Sequence, residues 1–209
     1  MTSLRSGVKL GLMKKLSLYI FLVLMWYNVG FAGDISEYQI EGISIGDSLL
    51  DHLSKEEIIT EIEINKPTYN YLNDDFGEVY LNGNFDTYNI LSFIVKPKDK
   101  HYTIYSISGS ISYDDKLEEC LTKQKEIEKE FSSNYKNAKK RKYSTKFDWD
   151  PTGESVTHNI EFAFDSGDFI EVNCAKYKKS LKIENNWTDS LQVTVNKKEI
   201  ADWFSNLIN

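Results

Sequence analysis

The chain of 209 residues carries 25 basic and 32 acidic residues, which gives a formal net charge of −7 at pH 7. An acidic protein repels nucleic-acid phosphates and anionic membrane surfaces, so the composition argues against a nucleic-acid partner. The two cysteines and three histidines show no CxxC pattern and no His/Cys cluster, so the sequence predicts no metal or cofactor site.

Residues 1–32 have the plan of a secretory signal peptide. Four basic residues and no acidic ones occur there, the apolar run Leu16–Trp26 follows them, and Gly30-Phe31-Ala32 supplies small residues before a cleavage point. Met13 is an alternative start, because it begins an equally typical leader. Cleavage leaves residues 33–209 as one exported domain, periplasmic or secreted, and the loss of four positive charges changes the net charge from −7 to −11.

A membrane anchor is the rival interpretation of the same segment. Leu16 to Ala32 is at the short limit for a spanning helix, which needs roughly 17–25 residues. An uncleaved leader would make the chain a single-pass envelope protein. The leader would then be the protein's one contact with the membrane.

Between residues 40 and 111 the patterns predict two short helices followed by three strands. Asp47 or Ser48 starts the first helix, and Ser54 with Glu57 forms the capping box of the second, whose apolar side is Ile58, Ile59 and Ile62. Three strands are then predicted: Glu78–Leu81, Thr87–Val95 and Tyr102–Ile111. The second is apolar on both faces and is therefore expected to be central. Gly109 is expected to mark a bulge or bend.

A long amphipathic helix is predicted from Asp114 to Tyr135, with Asp114 or Asp115 as its cap. Its apolar stripe recurs at helical spacing and would pack on the sheet. The stripe consists of Leu117, Cys120, Leu121, Ile127, Phe131 and Tyr135.

The second half of the chain reads as a basic linker followed by hairpins and a last helix. Residues 137–143 form the linker, and strands are predicted at Lys146–Trp149, Val156–Phe164, Phe169–Tyr177 and Ser190–Val195. Asn196 would cap a C-terminal helix that buries Ile200, Trp203, Phe204 and Leu207. The predicted fold class is therefore α+β: a mainly antiparallel sheet on which the long central helix, the two short N-terminal helices and the C-terminal helix pack on one face.

Cys120 and Cys174 are predicted to form a disulfide. Ile170, Val172 and Cys174 alternate on one strand face, and Cys120 lies on the helix stripe, so both sulfurs point into one core. Two unlinked buried thiols are the alternative.

Residues suited to chemistry are scattered, and no catalytic site is predicted. His52, His101 and His158 have no ligand spacing, and His158 is expected to be a hydrogen-bonded core residue. The segment 148–154 resembles a calcium loop but lacks the acid at its twelfth position, so it is interpreted as a hairpin turn. Core and half-exposed strand positions account for most of the abundant aromatic residues, and a ligand surface is the alternative. The candidates for such a surface are Trp149, Trp187, Trp203, Tyr69, Tyr71, Tyr102, Tyr105 and Tyr177.

One basic cluster overlaps the predicted linker. Cations near the C-terminal end of a helix complement its dipole and stay solvated. The functional alternative is a patch for an anionic surface polymer or an envelope protein. The cluster comprises Lys136, Lys139, Lys140, Arg141 and Lys142.

Two resemblances accompany these patterns. The segment Ile43-Ser-Ile-Gly46-Asp47-Ser48-Leu49-Leu50, with the predicted helix and strands up to residue 111, resembles the opening of the outer-membrane assembly lipoproteins and of the β-lactamase-inhibitor-like fold. The whole exported chain resembles a group of uncharacterised exported proteins of marine bacteria. That likeness rests on Ile40–Leu53, the strand Tyr105–Gly109 and the pair Cys120/Cys174, and it implies no activity.

The leading functional hypothesis is a non-enzymatic binding or adaptor domain of the cell envelope. A second hypothesis is an envelope hydrolase whose site is dispersed in the sequence. It requires His158 or His52 to meet an acid and a serine.

Overall fold

A seven-stranded antiparallel sheet organises the protein. The computed structural model describes residues 35–67 and 72–208, so the predicted signal peptide and the alternative start lie outside the described residues. The strands lie in the order β1-β2-β3-β7-β6-β5-β4. The predicted α+β class is confirmed. The strands are β1 (Gly77–Asn82), β2 (Ile90–Val95), β3 (Ile104–Ser112), β4 (Lys139–Lys146), β5 (Val156–Ala163), β6 (Phe169–Lys176) and β7 (Ser190–Asn196).

Four α-helices pack around the described sheet, together with 3₁₀ turns at Ile35–Glu37 and Leu49–Asp51. They are α1 (Lys55–Asn65), α2 (Leu117–Asn134), α3 (Lys179–Asn185) and α4 (Lys198–Ile208). The predicted capping box of α1 is confirmed, because Ser54 and Glu57 satisfy each other's backbone N–H groups. Ile59 of this helix, predicted to face the core, is exposed. The first predicted short helix is the turn Leu49–Asp51.

The helices lie on both faces of the sheet, so the prediction that they share one face is wrong. The cores under α1 and α2 include Phe93, whereas its neighbour Ile94 packs with Ile200 and Trp203 of α4. Adjacent residues of a strand point to opposite faces, which places α4 on the other side. Phe204 of α4 is 36% exposed, and the side chain of Leu207 lies outside the described residues.

The long helix differs from its prediction at its start and at its centre. Asp114 and Asp115 have positive φ angles, and Lys116 occupies the cap position without a side-chain bond, so neither acid caps the helix. At the centre, Gln124 is buried among the stripe residues and donates to the carbonyls of His158 and Val172, at 2.7 and 2.8 Å. A polar residue therefore ties α2 to the two strands beneath it.

A disulfide crosses the same interface. Cys120 on α2 and Cys174 on β6 are joined with a Cα–Cα distance of 6.0 Å, and both are almost fully buried. The bond closes a loop of 54 residues. The chain-entropy model gives such a loop about 4 kcal/mol of stabilisation, mainly through the unfolded state.

Three other predictions of local structure are wrong. Residues 137–143 are not a linker but belong largely to β4, whose lysines are exposed at the sheet edge. No strand covers Lys146–Trp149, because β4 ends at Lys146. Gly109 pairs regularly with Leu91 and Val193, and the register shift between β2 and β3 lies at Ile94/Val95 instead. A Cβ at Gly109 would meet the Tyr88 ring at 2.6 Å, so the glycine makes room for that ring.

Asn196 was predicted to cap α4, but a different residue stabilises the start of that helix. Asn196 ends β7 and is buried, and the N–H of Lys198 donates to the Asp168 carboxylate at 2.8 Å. An acid at a helix N-terminus complements the dipole. The β5–β6 hairpin loop, which carries Asp168, therefore anchors the last helix.

The sheet face opposite α2 is polar along its middle strands. Register pairing brings hydroxyl, amide and carboxylate side chains of β3, β7 and β6 side by side. Ser108 and Thr194 hydrogen-bond at 2.8 Å, and Asn173 donates to Gln192 at 3.4 Å. We call this the polar face. Its central members are Ser106, Ser108, Ser110, Gln192, Thr194, Glu171 and Asn173.

Candidate ligand-binding surface

Aromatic residues end the polar face on one side. The pairing of β4 with β5 continues one step beyond β4, since the N–H of Phe147 donates to the carbonyl of Ser155. Tyr177 follows β6 directly. Side chains alternate along a strand, so Phe147 and Tyr177 extend the polar-face positions of their strands and flank the fully buried Ser155. The small serine leaves room for the two rings to approach to 5.5 Å.

Four rings form one cluster here. Phe147, Trp149 and Tyr177 have nearly parallel planes, with interplanar angles of 21–25° and centroids 4.8–6.3 Å apart. Trp187 leans on Trp149 and Tyr177 at steeper angles of 67° and 49°. Trp149 is 49% exposed and Trp187 41% exposed. We call these four residues the aromatic patch: three parallel rings with a fourth set across their edge.

A rigid turn positions Trp149. The carboxylate of Asp150 accepts from the backbone and hydroxyl of Thr152 and from the backbone of Ser155. These bonds, first among them the one from the Thr152 hydroxyl, hold the pKa of Asp150 well below its usual range. Gly153 completes the turn at a φ of +66°. The central carboxylate of the segment 148–154 therefore accepts hydrogen bonds from the segment's own backbone and its neighbour, as in a hairpin turn.

The end of α3 positions Trp187. Asn186 adopts the left-handed conformation at a φ of 55°, and the N–H of Trp187 bonds back to the Lys182 carbonyl at 3.0 Å. The Lys182 ammonium bridges Asp115 and the buried Asp189, at 2.5 and 3.0 Å. Burial opposes this charge, but the bonds to the two carboxylates raise the pKa of Lys182.

Asp189 links this ion pair to the aromatic patch. Its other carboxylate oxygen accepts from the backbone N–H of Tyr177 at 2.8 Å. Since Lys182 is on α3 and Asp115 precedes α2, one network fixes the chain segments around the patch. The patch is therefore held by hydrogen bonds on both sides, although its two tryptophans are 49% and 41% exposed.

An open groove of about 460 Å³ lies beside Trp187. Apart from Trp187 and Ile183, its lining is polar and includes Asp115, Lys182, Asn186 and Thr188. An exposed indole therefore adjoins ammonium, carboxylate, amide and hydroxyl groups.

A larger groove, of about 790 Å³, lies at the other end of the molecule's polar face, next to α4. Phe76, Tyr105 and Trp203 are its aromatic residues. The protein's own Lys96 ammonium already lies 4.4 Å from the Tyr105 ring centre and 5.4 Å from that of Phe76, and Lys197 lies 5.2 Å from Tyr105. Because internal cations cover Phe76 and Tyr105 and Trp203 is buried, the aromatic patch is the stronger candidate despite its smaller groove.

The structure divides the predicted aromatic candidates into separate places. It brings Trp149, Tyr177 and Trp187 together, puts Tyr105 and Trp203 in the other groove, and buries Tyr102. Tyr69 and Tyr71 lie outside the described residues. Phe147 was missed, although the alternation of β4 points to it once that strand is recognised.

Of the histidine, serine and acid that the hydrolase hypothesis requires, the structure brings together the histidine and a serine. Ser144 and His158 are paired across β4 and β5, and the hydroxyl lies 2.8 Å from Nδ1. In residues 35–67 and 72–208 no carboxylate hydrogen-bonds to this imidazole, and His52 and His101 lie on exposed turns. Within the same ranges no three His, Cys, Asp or Glu residues form a metal-binding group. The hydrolase hypothesis stays a prediction.

The basic cluster is largely neutralised within the fold. Lys140 and Lys142 both reach Glu128 of α2, at 2.7 and 2.6 Å, while Arg141 pairs with Glu161 and Lys139 with Asp165. Charged side chains along an edge strand also discourage pairing with another chain. These contacts favour a structural role over an anion-binding one.

A carboxylate pair lies on the polar face between β5 and β6. Glu161 and Glu171 are direct cross-strand partners, and such like-charged pairs are unfavourable. Arg141 compensates Glu161, whereas Tyr143 donates to Glu171 at 3.3 Å. Burial raises the pKa of Glu171, and the bond from Tyr143 opposes that shift. Burial likewise raises the pKa of Tyr143 to about 12.

Comparison of the chain with protein-family models, with curated proteins and with solved structures finds no match. The resemblances drawn from the sequence therefore stay predictions, and the argument for function rests on the geometry of the aromatic patch.

Proposed function

We propose that the protein is an exported, non-enzymatic binding or adaptor domain of the cell envelope and that the aromatic patch is its binding surface. The exposed Trp149 and Trp187, held by a hydrogen-bonded frame, carry this proposal. Aromatic residues dominate binding surfaces, and a fold gains little from leaving two indoles half in water.

Two further observations support the exported location. The leader-like segment 1–32 precedes the domain, and a disulfide of this kind persists in oxidising compartments. In the described ranges, 35–67 and 72–208, none of the helices combines the length and apolarity needed to cross a membrane.

Capture from isolated cell envelopes tests the proposal. The full sequence is expressed, and the exported product is checked by intact mass for cleavage before Gly33. The immobilised protein should retain an envelope component, and Trp149→Ala/Trp187→Ala should lose it while keeping its thermal unfolding midpoint. Ile59→Ala, which removes an exposed apolar side chain from α1, is the matched control and should retain it. Equal retention by all three proteins would refute the proposed surface.

A further inference from the structure

We infer that the aromatic patch and its adjoining groove bind carbohydrate, as a site for β-linked pyranose chains. The inference rests on the proposed function, because it names the ligand class of the same surface. It is carried by the juxtaposition of two exposed indole rings, those of Trp149 and Trp187, with a polar groove.

The geometry of the rings suits a sugar face. A pyranose whose substituents are equatorial presents a flat face of C–H groups, which packs on an aromatic plane, and a rim of hydroxyls. Phe147, Trp149 and Tyr177 stack on one another with planes within 25°, so the stack fixes the orientation of the Trp149 indole, which is 49% exposed and on which a sugar face can pack. Trp187, at 67° to Trp149, adds a second plane against which a neighbouring sugar unit packs.

The groove suits the hydroxyl rim. Asp115 presents an exposed carboxylate, which Lys182 orients, and Asn186 and Thr188 supply an amide and a hydroxyl beside Trp187. Charged groups make the stronger hydrogen bonds. The volume, about 460 Å³, is within the range of roughly 300–1,000 Å³ typical of small-ligand sites.

A protein partner fits the same surface less well. Protein–protein hot spots lie in well-packed pockets from which water is fully excluded. Here the groove is open and its lining is mostly charged or polar, which matches a hydrated ligand with many hydroxyl groups.

The inference is tested by titrating the disulfide-closed protein with chitohexaose and with cellohexaose. Binding is measured by calorimetry and by indole fluorescence. We expect saturable binding of at least one of them with a change in emission. Trp149→Ala and Trp187→Ala should each weaken it at least tenfold, and Ile59→Ala should leave it unchanged. Circular dichroism confirms that each variant is folded.

The outcomes separate this inference from the proposed function. The absence of saturable binding of both oligosaccharides at millimolar concentration overturns the carbohydrate assignment, as does binding that survives both substitutions. If the patch then captures an envelope protein, the proposed function stands and the ligand class is wrong. If it captures nothing, both fail.

Discussion

One face of the sheet lies under α1 and α2 and consists of apolar side chains such as Ile107, Val172 and Val193, whereas the opposite face carries hydroxyls, amides and carboxylates from the same strands. Because side chains alternate, each strand serves both faces at once. The apolar face holds the disulfide and the buried Gln124. The polar face ends in exposed aromatic rings. The disulfide and the buried Gln124 therefore lie on the opposite side of the sheet from the aromatic patch, and substitutions on the two faces should have different effects.

The largest effect is expected from the disulfide on the apolar face. Cys120→Ala/Cys174→Ala should lower the free energy of unfolding by about 4 kcal/mol, because the unfolded chain regains the entropy of the open loop. Urea unfolding measures the loss. Reductant should bring the wild type to the same midpoint and leave the variant unchanged; a variant as stable as the oxidised wild type would contradict the prediction.

An intermediate effect is expected at Gln124. Gln124→Ala removes two hydrogen bonds to buried carbonyls and should cost about 1–3 kcal/mol in urea unfolding. Gln192→Ala is the matched control on the polar face, where one 3.4 Å bond is lost and the cost should stay below about 1 kcal/mol. Equal losses at the two glutamines would show that the faces do not differ in this way.

The smallest effect concerns pH and the polar face. Because the pKa of Glu171 is raised in the folded state, its contribution to stability is fully present below its ordinary pKa of 4.5 and is lost as the pH rises through the folded-state pKa. In the variant Glu171→Gln, the side chain at position 171 does not ionise. Its stability relative to wild type should therefore increase between acidic and neutral pH, as measured by urea unfolding at each pH. A difference that does not change with pH would exclude the shift.

Much of the fold follows from local sequence patterns. The alternation of β5, β6 and β7 and the capping box of Ser54 and Glu57 predict these elements closely, because each is encoded by neighbouring residues. β4 escaped prediction since its basic side chains, such as Lys140 and Arg141, are stabilised by acids distant in sequence, Glu128 and Glu161. α3 has no fully buried side chain and hence no apolar stripe to detect.

The candidate site was only half predictable for a related reason. Composition marks tryptophans and tyrosines as candidates, and three of the predicted residues do meet. Which aromatic residues meet depends on strand register, on the turn closed by Asp150 and on the left-handed Asn186. Strand register brings residues that are far apart in sequence, such as Phe147 and Tyr177, into contact. The sequence between them contains no pattern that predicts this contact.

The position of β7 has a consequence for how the chain reaches its native state. β7 comes last among the strands but lies at the centre, and it pairs with β3, whose Ser106 is 90 positions before its partner Asn196. Such distant pairing is slow to form. In the native order β7 joins β1-β2-β3 to β6-β5-β4, so β3 and β6 each keep an unpaired edge until residues 190–196 are in place. Unpaired strand edges make such late intermediates prone to aggregation and hence natural targets of chaperones.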